Sequence, residues 1–354
     1  MKKRLLSLLF AGAMMASMMA GCGGGGDAKP SADAGADTDK PAQSADAGDA
    51  QKDTAGGKYK IGMCMARRDQ FQTTIEMNAK ARAQELGVDL VVFDANDDIT
   101  MQLTQIQTCV NDKYDGIITA CIDSASTGEM VEAGGDLPMV FFCRGAEYDK
   151  LRPGKDCYVG CEQWDGGKMQ AEYLTKYAKD KGMTEMDVVL FLGQLGNEGT
   201  IGRTDAFKEV MKENGIKVNY VFEDTAEWDR AKAMDKFTQF LGTGKHYDAI
   251  VSNNDDMALG CIEAITSTGA KVEVPVLGVD ATEGACMAIK EGTMSMSASQ
   301  NGYAMGRGCV DSAIALIEGK APEGLTDEVM VPIPFEQIDA SNVDDMLKQL
   351  ESAS

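Results

Sequence analysis

The chain has 354 residues, with 56 acidic against 34 basic side chains and a formal net charge of −22 at pH 7. This charge excludes nucleic acid as the main ligand, because binding a phosphate backbone needs a basic surface. The length is sufficient for two α/β domains of ordinary size, even after the N-terminal segments described next are set aside.

The first 21 residues have the pattern of an export signal. Met1 to Arg4 is cationic, Leu5 to Ala20 is apolar but short for a membrane span, and small residues precede Cys22. This pattern resembles a bacterial lipoprotein signal. The resemblance implies cleavage before Cys22, lipidation of its thiol, and an exported protein anchored to a cell membrane that it does not cross. A plain secretory signal and a single transmembrane anchor are the competing interpretations.

The segment 22–57 predicts a disordered tether. Gly23 to Gly26 is followed by a run rich in Ala, Asp, Ser and Lys with almost no apolar side chains. Such a composition cannot bury a core. A cysteine followed directly by a tether favours a lipoprotein over a plain secreted protein or a transmembrane anchor.

Ten cysteines in an exported chain would ordinarily suggest disulfides. Most of them fall in apolar strand-like or helix-like runs, which is typical of small buried hydrophobic side chains. Cys157 and Cys161 are close enough to suggest a pair, but their spacing is not CxxC and no histidine cluster accompanies them. The sequence therefore predicts no metal, no redox chemistry and no cofactor.

From residue 59 onward the chain alternates short apolar runs with longer amphipathic ones. The first series predicts strands at 59–65, 88–94, 116–121 and 138–143, with helices at 73–86, 100–110 and 125–133. The second predicts strands at 187–193, 218–223, 249–252 and 274–279, with helices at 203–214, 230–241, 257–267 and 284–291. Two such series predict an α/β fold with two doubly wound, Rossmann-like lobes of parallel sheet.

Parallel sheets bind ligands outside the carboxyl ends of their strands, and two lobes would place two such edges across a cleft. The residues that follow the predicted strands are mostly polar, with two aromatic side chains among them. A neutral polyhydroxylated ligand requires this mixture, because its hydroxyls need donors and acceptors and its C–H face needs a flat apolar surface. The candidates are Asp69, Phe71, the segments 193–203 and 223–228, Asn253 to Asp256, and Asp280.

Each candidate also has a purely structural explanation. Asp255 and Asp256 could cap a helix. Capping is a weaker explanation for Asp280, because Thr282 and Glu283 lie nearer the predicted helix start. Asn253 and Asn254 could shape a turn. Arg203 could occupy a solvated helix position, and Trp228 could be part of the core packing.

Five stretches, in order along the chain, resemble the galactose/glucose-binding proteins of bacterial ABC sugar uptake, which are type I periplasmic binding proteins. The most specific stretch is Asp224 to Asp229, with the sequence DTAEWD. Together the stretches span the chain from Tyr59 to about Phe335. The remaining four are 138–142, 158–160, 253–258 and 274–280.

The resemblance implies that a three-segment hinge closes two lobes over a sugar. It implies that Asp69 accepts hydrogen bonds from hydroxyls, that Phe71 and Trp228 sandwich a pyranose ring, and that Arg203 donates a forked pair of hydrogen bonds. Further polar residues would complete the site. The implied ligand-binding set is Asp69, Phe71, Arg203, Trp228, Asn254, Asp280 and Gln300.

The hinge crossings implied by the resemblance lie near 160–163, 297–300 and 319–324. They predict an N-terminal lobe of residues 58–161 and 300–322. They also predict a C-terminal lobe of residues 162–299 and 323–346, followed by a tail at 347–354.

Several positions depart from the family pattern. Asn197, Gly199 and Ala120 stand where the family has a histidine, an aspartate and an asparagine, and Gln300 replaces an asparagine. A buried hydroxyl without a partner costs about 1–3 kcal/mol, so such changes alter specificity first. Galactose or glucose is thus the leading candidate among the aldoses. Asn197 and Arg144 are further candidate ligand residues, although an ordinary surface charge is the favoured explanation for Arg144.

The calcium loop of the resembled proteins is not predicted here, since the segment 181–186 is too short and lacks alternating oxygen ligands. Asp94 to Asp98 begins like a calcium loop, but Ile99 and Gln105 replace the required glycine and glutamate. A strand-to-helix connection with a capping acid explains this segment more simply.

Three classes of function are compatible with these patterns. The first is a binding lipoprotein, expected to be a monomer, that delivers a monosaccharide to an ABC importer permease. The second is a sensor that presents sugar to a chemoreceptor or sensor kinase; a nucleoside is the alternative ligand. The third is a glycoside hydrolase using Asp69 and Asp280. The hydrolase is disfavoured because no nucleophile motif is present and the lone His246 falls in a predicted surface turn.

Overall fold

Short apolar runs form the strands and longer amphipathic segments form the helices, in a computed structural model that describes residues 57–353. The predicted signal, Cys22 and the tether up to residue 56 lie outside the described residues. Within residues 57–353, no helix combines the length and apolar character needed to cross a bilayer. The strands are β1 (Lys60–Met65), β2 (Asp89–Asp94), β3 (Gly116–Thr119), β4 (Met139–Phe142), β5 (Asp156–Gly160), β6 (Glu185–Leu192), β7 (Lys217–Thr225), β8 (Ala249–Ser252), β9 (Val276–Val279), β10 (Met296–Ser299), β11 (Met330–Pro332) and β12 (Glu336–Asp339). The helices are α1 (Gln70–Leu86), α2 (Ile99–Asn111), α3 (Thr127–Gly134), α4 (Gln163–Asp180), α5 (Glu198–Glu213), α6 (Arg230–Leu241), α7 (Asp255–Thr266), α8 (Glu283–Glu291), α9 (Gly302–Ile317) and α10 (Val343–Ala353).

The strands form two six-stranded sheets, one in each lobe. The N-terminal sheet has the order β11-β5-β4-β3-β1-β2, and all its pairings are parallel. The C-terminal sheet has the order β12-β10-β9-β8-β6-β7 and is parallel except at its edge, where β12 runs antiparallel to β10. The prediction of two doubly wound α/β lobes is confirmed.

Three pairs of neighbouring helices pack so closely that only glycine fits at the contact. A Cβ atom at Gly167 of α4 would overlap the carbonyl oxygen of Arg203 in α5. Gly306 of α9 and Gly260 of α7 meet backbone carbonyls of α1 and α6 in the same way. Since a helix backbone cannot yield as a side chain can, these glycines fix the spacing of the helices that flank both sheets.

The chain crosses between the lobes three times. The first crossing lies between Gly160 and Gln163, and the second lies at 300–301, between β10 and α9. The predicted third crossing at 319–324 is wrong, because β11 pairs with β5 in the N-terminal sheet. The chain therefore crosses between Pro332 and Glu336, and residues 323–332 belong to the N-terminal lobe. A strand of three residues is too short for hydrophobic periodicity to reveal.

The predicted C-terminal tail is also wrong for most of its length. Residues 347–353 continue α10, which begins at Val343 and packs against α8 and β12 of the C-terminal lobe. Val343 and Met346 are buried in this contact. The helix therefore extends the apolar core of that lobe.

Candidate ligand-binding site

A cavity of about 390 Å³, including solvent at its mouth, lies between the two lobes. The structure brings to the cavity wall all seven residues of the implied ligand-binding set and the two further candidates, Asn197 and Arg144, although they come from segments far apart in the chain. The lining residues are Asp69, Phe71, Gln72, Cys143, Arg144, Asn197, Gly199, Arg203, Trp228, Asn254, Asp280 and Gln300.

Helix N-termini from both lobes converge on this cavity. Asp69, Asn197 and Asn254 are the N-caps of α1, α5 and α7, and their Oδ1 atoms accept backbone N–H groups at 2.8, 2.9 and 3.1 Å. Capping fixes one polar atom of each side chain and orients the second. In two of them the free amide points to the backbone, since Asn254 Nδ2 donates to Trp228 O at 3.3 Å and Asn197 Nδ2 to Arg144 O at 3.5 Å.

Arg203 is only 4% exposed, so a solvated helix position is the wrong explanation for it. Its Nε and Nη2 atoms donate to Gln163 Oε1 at 2.9 and 2.7 Å, and its Nη1 donates to the carbonyl of Asn253. A guanidinium carries five N–H donors. One N–H therefore remains on each terminal nitrogen, and these two can form a fork toward the cavity.

The first and second crossings are joined by the same group of side chains. Gln163 Nε2 donates to Cys161 O at 3.2 Å and lies 3.5 Å from Gln300 Oε1. Gln300 Nε2 in turn donates to Asp280 Oδ1 at 2.6 Å. We name the chain Arg203–Gln163–Gln300–Asp280 the hinge network. It connects two cavity residues of the C-terminal lobe through two hinge segments.

Asp280 occupies a strained backbone position, with φ at +118°. Burial raises the pKa of its carboxyl well above the usual range, while the positive charge of Arg203 and the hydrogen bond from Gln300 oppose this shift. The neighbouring helix α8 is capped by Thr282, as predicted. Strain that a fold retains is typical of functional positions.

Phe71 and Trp228 bring aromatic rings from opposite lobes. Phe71 belongs to α1, and Trp228 follows β7 with φ at +66° and is 8% exposed. The indole lies against Gly193, where any Cβ atom would overlap it, and the Arg203 guanidinium lies 5.5 Å from its ring centroid. Trp228 therefore packs in the C-terminal lobe and lines the cavity at the same time.

Asp255 and Asp256 do not cap α7, so the capping explanation is wrong for both. Asn254 is the cap, and Asp255 is fully buried, accepting hydrogen bonds from Ser297 Oγ at 2.7 Å and Thr282 N at 2.8 Å. Asp255 thereby ties the start of α7 to β10 and to the start of α8. Burial raises its pKa to about 7 and that of Asp256 to about 6.

Arg144 is 7% exposed and its Nη1 donates to Asp97 Oδ1 at 3.2 Å, so it is not a surface charge. Asp97 also pairs with Arg67, and Asp94 pairs with Arg68. Asp98 caps α2, as predicted for the calcium-like segment. Arginine side chains thus pair with Asp94 and Asp97, where they compete with a cation.

Glu198, the first residue of α5, falls in the candidate segment 193–203, but the sequence does not single it out as a ligand-binding residue. Its Oε2 is buried without a hydrogen-bond partner among the described residues and abuts Gly145 of the opposite lobe. Burial and the nearby charge of Glu162 raise the pKa of Glu198 to about 7, while Arg203 opposes the shift. Across the cleft, burial raises the pKa of Cys121, Tyr148 and Tyr158, and the charge of Glu198 adds to this shift. Contacts between lobes leave no local sequence signal.

The nine cysteines in the described part of the chain are all buried and free, which confirms the prediction for the seven that fall in strand-like or helix-like runs. Cys157 and Cys161, whose spacing suggested a pair, are buried and free as well. Cys143 lines the cavity at the end of β4. His246 lies in a surface turn before β8, as predicted, with its side chain 73% exposed and 2.9 Å from Asp248. Asp187 lies close enough to these two to share a cation, but its carboxylate already accepts Asn219 Nδ2 at 2.9 Å.

Comparison with known proteins identifies the family. Residues 61–321 match the model of the periplasmic binding protein domain. A protein of Rhizobium meliloti named for rhizopine binding is 31% identical over 296 residues, which cover 82% of this chain and 93% of the relative. A D-galactose/methyl-galactoside binding periplasmic protein of Haemophilus influenzae is 28% identical, with coverages of 79% and 89%.

Among solved structures, an ABC transporter solute binding protein from Bacillus halodurans with bound myo-inositol superposes with a TM-score of 0.73. It is 28% identical, and the match covers 84% of this chain and all of that one. The chain therefore belongs to the periplasmic binding protein family and has its type I fold.

Proposed function

We propose that this protein is the extracytoplasmic solute-binding component of an ABC importer and binds a monosaccharide or related cyclic polyol by hinge closure. The observation that carries the proposal is the composition of the interlobe cavity. Two aromatic rings come from opposite lobes, and two carboxylates, Asp69 and Asp280, are matched by two guanidinium groups, Arg144 and Arg203. A matched set of charges with aromatic faces suits a neutral ligand rich in hydroxyls.

Two groups of ligand are supported for this cavity. The DTAEWD stretch and the galactose-binding relative favour galactose or glucose. The structure with bound myo-inositol favours a cyclitol. Gly199 lines the cavity without a side chain where the galactose/glucose pattern has an aspartate, which leaves room for a different arrangement of hydroxyls. We therefore propose a six-membered polyol ring, either an aldohexose or a cyclitol.

A ligand panel tests this proposal. Thermal unfolding of the purified protein is measured with D-galactose, D-glucose, D-ribose, xylitol, myo-inositol and a nucleoside, followed by calorimetry of each hit. A ligand at a hundred times its Kd adds about 2.7 kcal/mol of stability, so a hit raises Tm by several degrees. A panel without any shift would refute the proposal. A rise in Tm with the nucleoside alone would leave the assignment of the fold intact but would show that the ligand is not a monosaccharide or related cyclic polyol.

Membrane anchoring and partners are part of the same proposal. Lipidation at Cys22 would hold a monomeric receptor near an importer permease, and mass spectrometry of the mature N-terminus tests it. Cys22→Ser should release the protein from the membrane fraction. Deleting the gene and measuring uptake and sugar response separately tests the sensor role, since loss of a pure sensor would leave uptake intact.

We expect ligand affinity to fall as the pH rises from 5 to 7, because Glu198 is buried against Gly145 only when the lobes meet. In the open form its pKa should lie near the ordinary value of about 4.3, against about 7 when closed, so closure takes up a proton. The contribution of Glu198 to ligand affinity is fully present below the open-form pKa and is lost progressively as the pH rises to about 7. The expected loss is about tenfold or more.

Calorimetry in two buffers of different ionisation enthalpy measures this uptake directly. Glu198→Gln should flatten the pH profile while retaining binding, whereas Asp255, Asp256 and Asp280 contribute a background common to both proteins. Identical pH profiles of ligand affinity for the wild type and Glu198→Gln would contradict the assignment of this pH dependence to Glu198.

A further inference from the structure

Gln72 differs from the three other glutamines of the described chain whose Oε1 is buried without a hydrogen-bond partner. Gln102, Gln105 and Gln170 each have an unpaired Oε1, but each is anchored by its Nε2, which donates to a backbone carbonyl at 2.7–2.8 Å. Gln72 is 1% exposed, its Oε1 is likewise unpaired, and no hydrogen bond anchors its side chain among the described residues. Of these four glutamines, Gln72 is the one that lines the interlobe cavity.

Gln72 shares the cavity wall with Asp69 and Trp228. It lies in the first turn of α1, and its backbone N–H is taken by Asp69 Oδ1 at 2.8 Å. The second carboxylate oxygen of Asp69 lies 3.3 Å from Arg67 Nε. On the opposite wall Trp228 Nε1 is also buried without a partner. Buried polar groups are nearly always hydrogen-bonded in native proteins, so unpaired groups on a cavity wall indicate contacts to a ligand.

We propose that Gln72 is a further specificity-determining residue, whose carboxamide accepts a hydrogen bond from a ligand hydroxyl through Oε1. This inference rests on the proposed function, since it needs a polyol in the cavity. The Nε2 of the same carboxamide is available to donate to a neighbouring oxygen. Gln72 therefore selects ligands with a free hydroxyl, or two adjacent hydroxyls, facing the N-terminal lobe. O-methylation or removal of that hydroxyl takes away the proton that Oε1 accepts.

The test compares Gln72→Met with a matched control, Gln102→Met. Gln102 is equally buried but lies outside the cavity, where its Nε2 donates to Ala120 O. Gln72→Met should weaken binding of the ligand found in the panel by roughly tenfold to a hundredfold. It should not lower the Tm of the protein without ligand, because it removes an unpaired buried acceptor. Gln102→Met should lower Tm and leave the Kd unchanged.

Deoxy and O-methyl analogues of that ligand then identify the hydroxyl. The analogue altered at the hydroxyl bound by Gln72 should bind the wild type and Gln72→Met equally, whereas other analogues should keep the difference. Equal affinity of both proteins for the unmodified ligand would overturn the inference while leaving the proposed function intact. A lower Tm for unliganded Gln72→Met would show that the side chain is structural. Absence of any polyol binding by the wild type would instead refute the proposed function.

Discussion

Gly167→Ala should destabilise the protein and weaken ligand binding together. The new Cβ would overlap the carbonyl oxygen of Arg203, and a helix backbone cannot move aside without shifting α5 from α4. Overpacking of this kind costs about 1–3 kcal/mol. Because α5 carries Arg203, its displacement also disturbs the hydrogen bonds of 2.7 and 2.9 Å from the guanidinium to Gln163. Thermal unfolding without ligand and calorimetric Kd measure the two effects.

Gly128→Ala is the matched control for this change. Gly128 lies in α3, and the nearest neighbour of an added Cβ is the flexible side chain of Lys150 at 3.9 Å. Alanine is favoured over glycine within a helix by about 0.5–1 kcal/mol, so this variant should be slightly more stable than the wild type. Equal unfolding temperatures for Gly167→Ala and the wild type would show that α4 and α5 can separate without cost.

Trp228→Ala should reduce affinity for the identified ligand by about a hundredfold or more. The substitution removes an aromatic wall of the cavity and the ring that lies 5.5 Å from the Arg203 guanidinium. A hundredfold loss corresponds to about 2.7 kcal/mol, which is within reach of an aromatic contact combined with a displaced arginine. Asp280→Ala should also abolish the ligand-induced rise in Tm, because Gln300 loses its acceptor.

The sequence contains a second tryptophan, which provides the control. Trp164 lies at the start of α4, is 40% exposed and is not part of the cavity lining. Trp164→Phe should leave the Kd unchanged and make Trp228 the sole indole fluorophore. Ligand should then change its emission. Wild-type affinity in Trp228→Ala would contradict the proposed role of the ring.

The cavity residues were predictable from sequence to the extent that they follow strands. Asp69, Asn254 and Asp280 come directly after β1, β8 and β9 or within a few residues of them, and hydrophobic runs locate such strand ends. Position relative to a strand does not give the hydrogen-bond partners, however. The place of Asp255 before a helix favours a capping role, but the neighbouring Asn254 occupies the cap and Asp255 binds two separate elements instead.

The features that sequence reasoning missed depend on contacts between distant segments. Gln163 belongs to a crossing rather than a strand end, and its importance appears only when Arg203 is beside it. Glu198 is defined by a neighbour in the opposite lobe. The third crossing was misplaced because β11 is a three-residue edge strand recognisable only by its pairing with β5. Local patterns reveal elements, whereas these properties arise from the packing of one element on another.

The hinge network has a consequence for how a bound molecule would leave. Arg203 and Asp280 are held by Gln163 and Gln300, which lie in the segments that must bend when the lobes separate. Separation of the lobes at the surface of a permease would therefore also displace Arg203 and Asp280, the side chains that contact the bound molecule. Release would begin with the loss of directional contacts, before the mouth is wide enough for escape. A receptor of this kind can bind its ligand tightly in solution and still release it quickly when it docks on the permease.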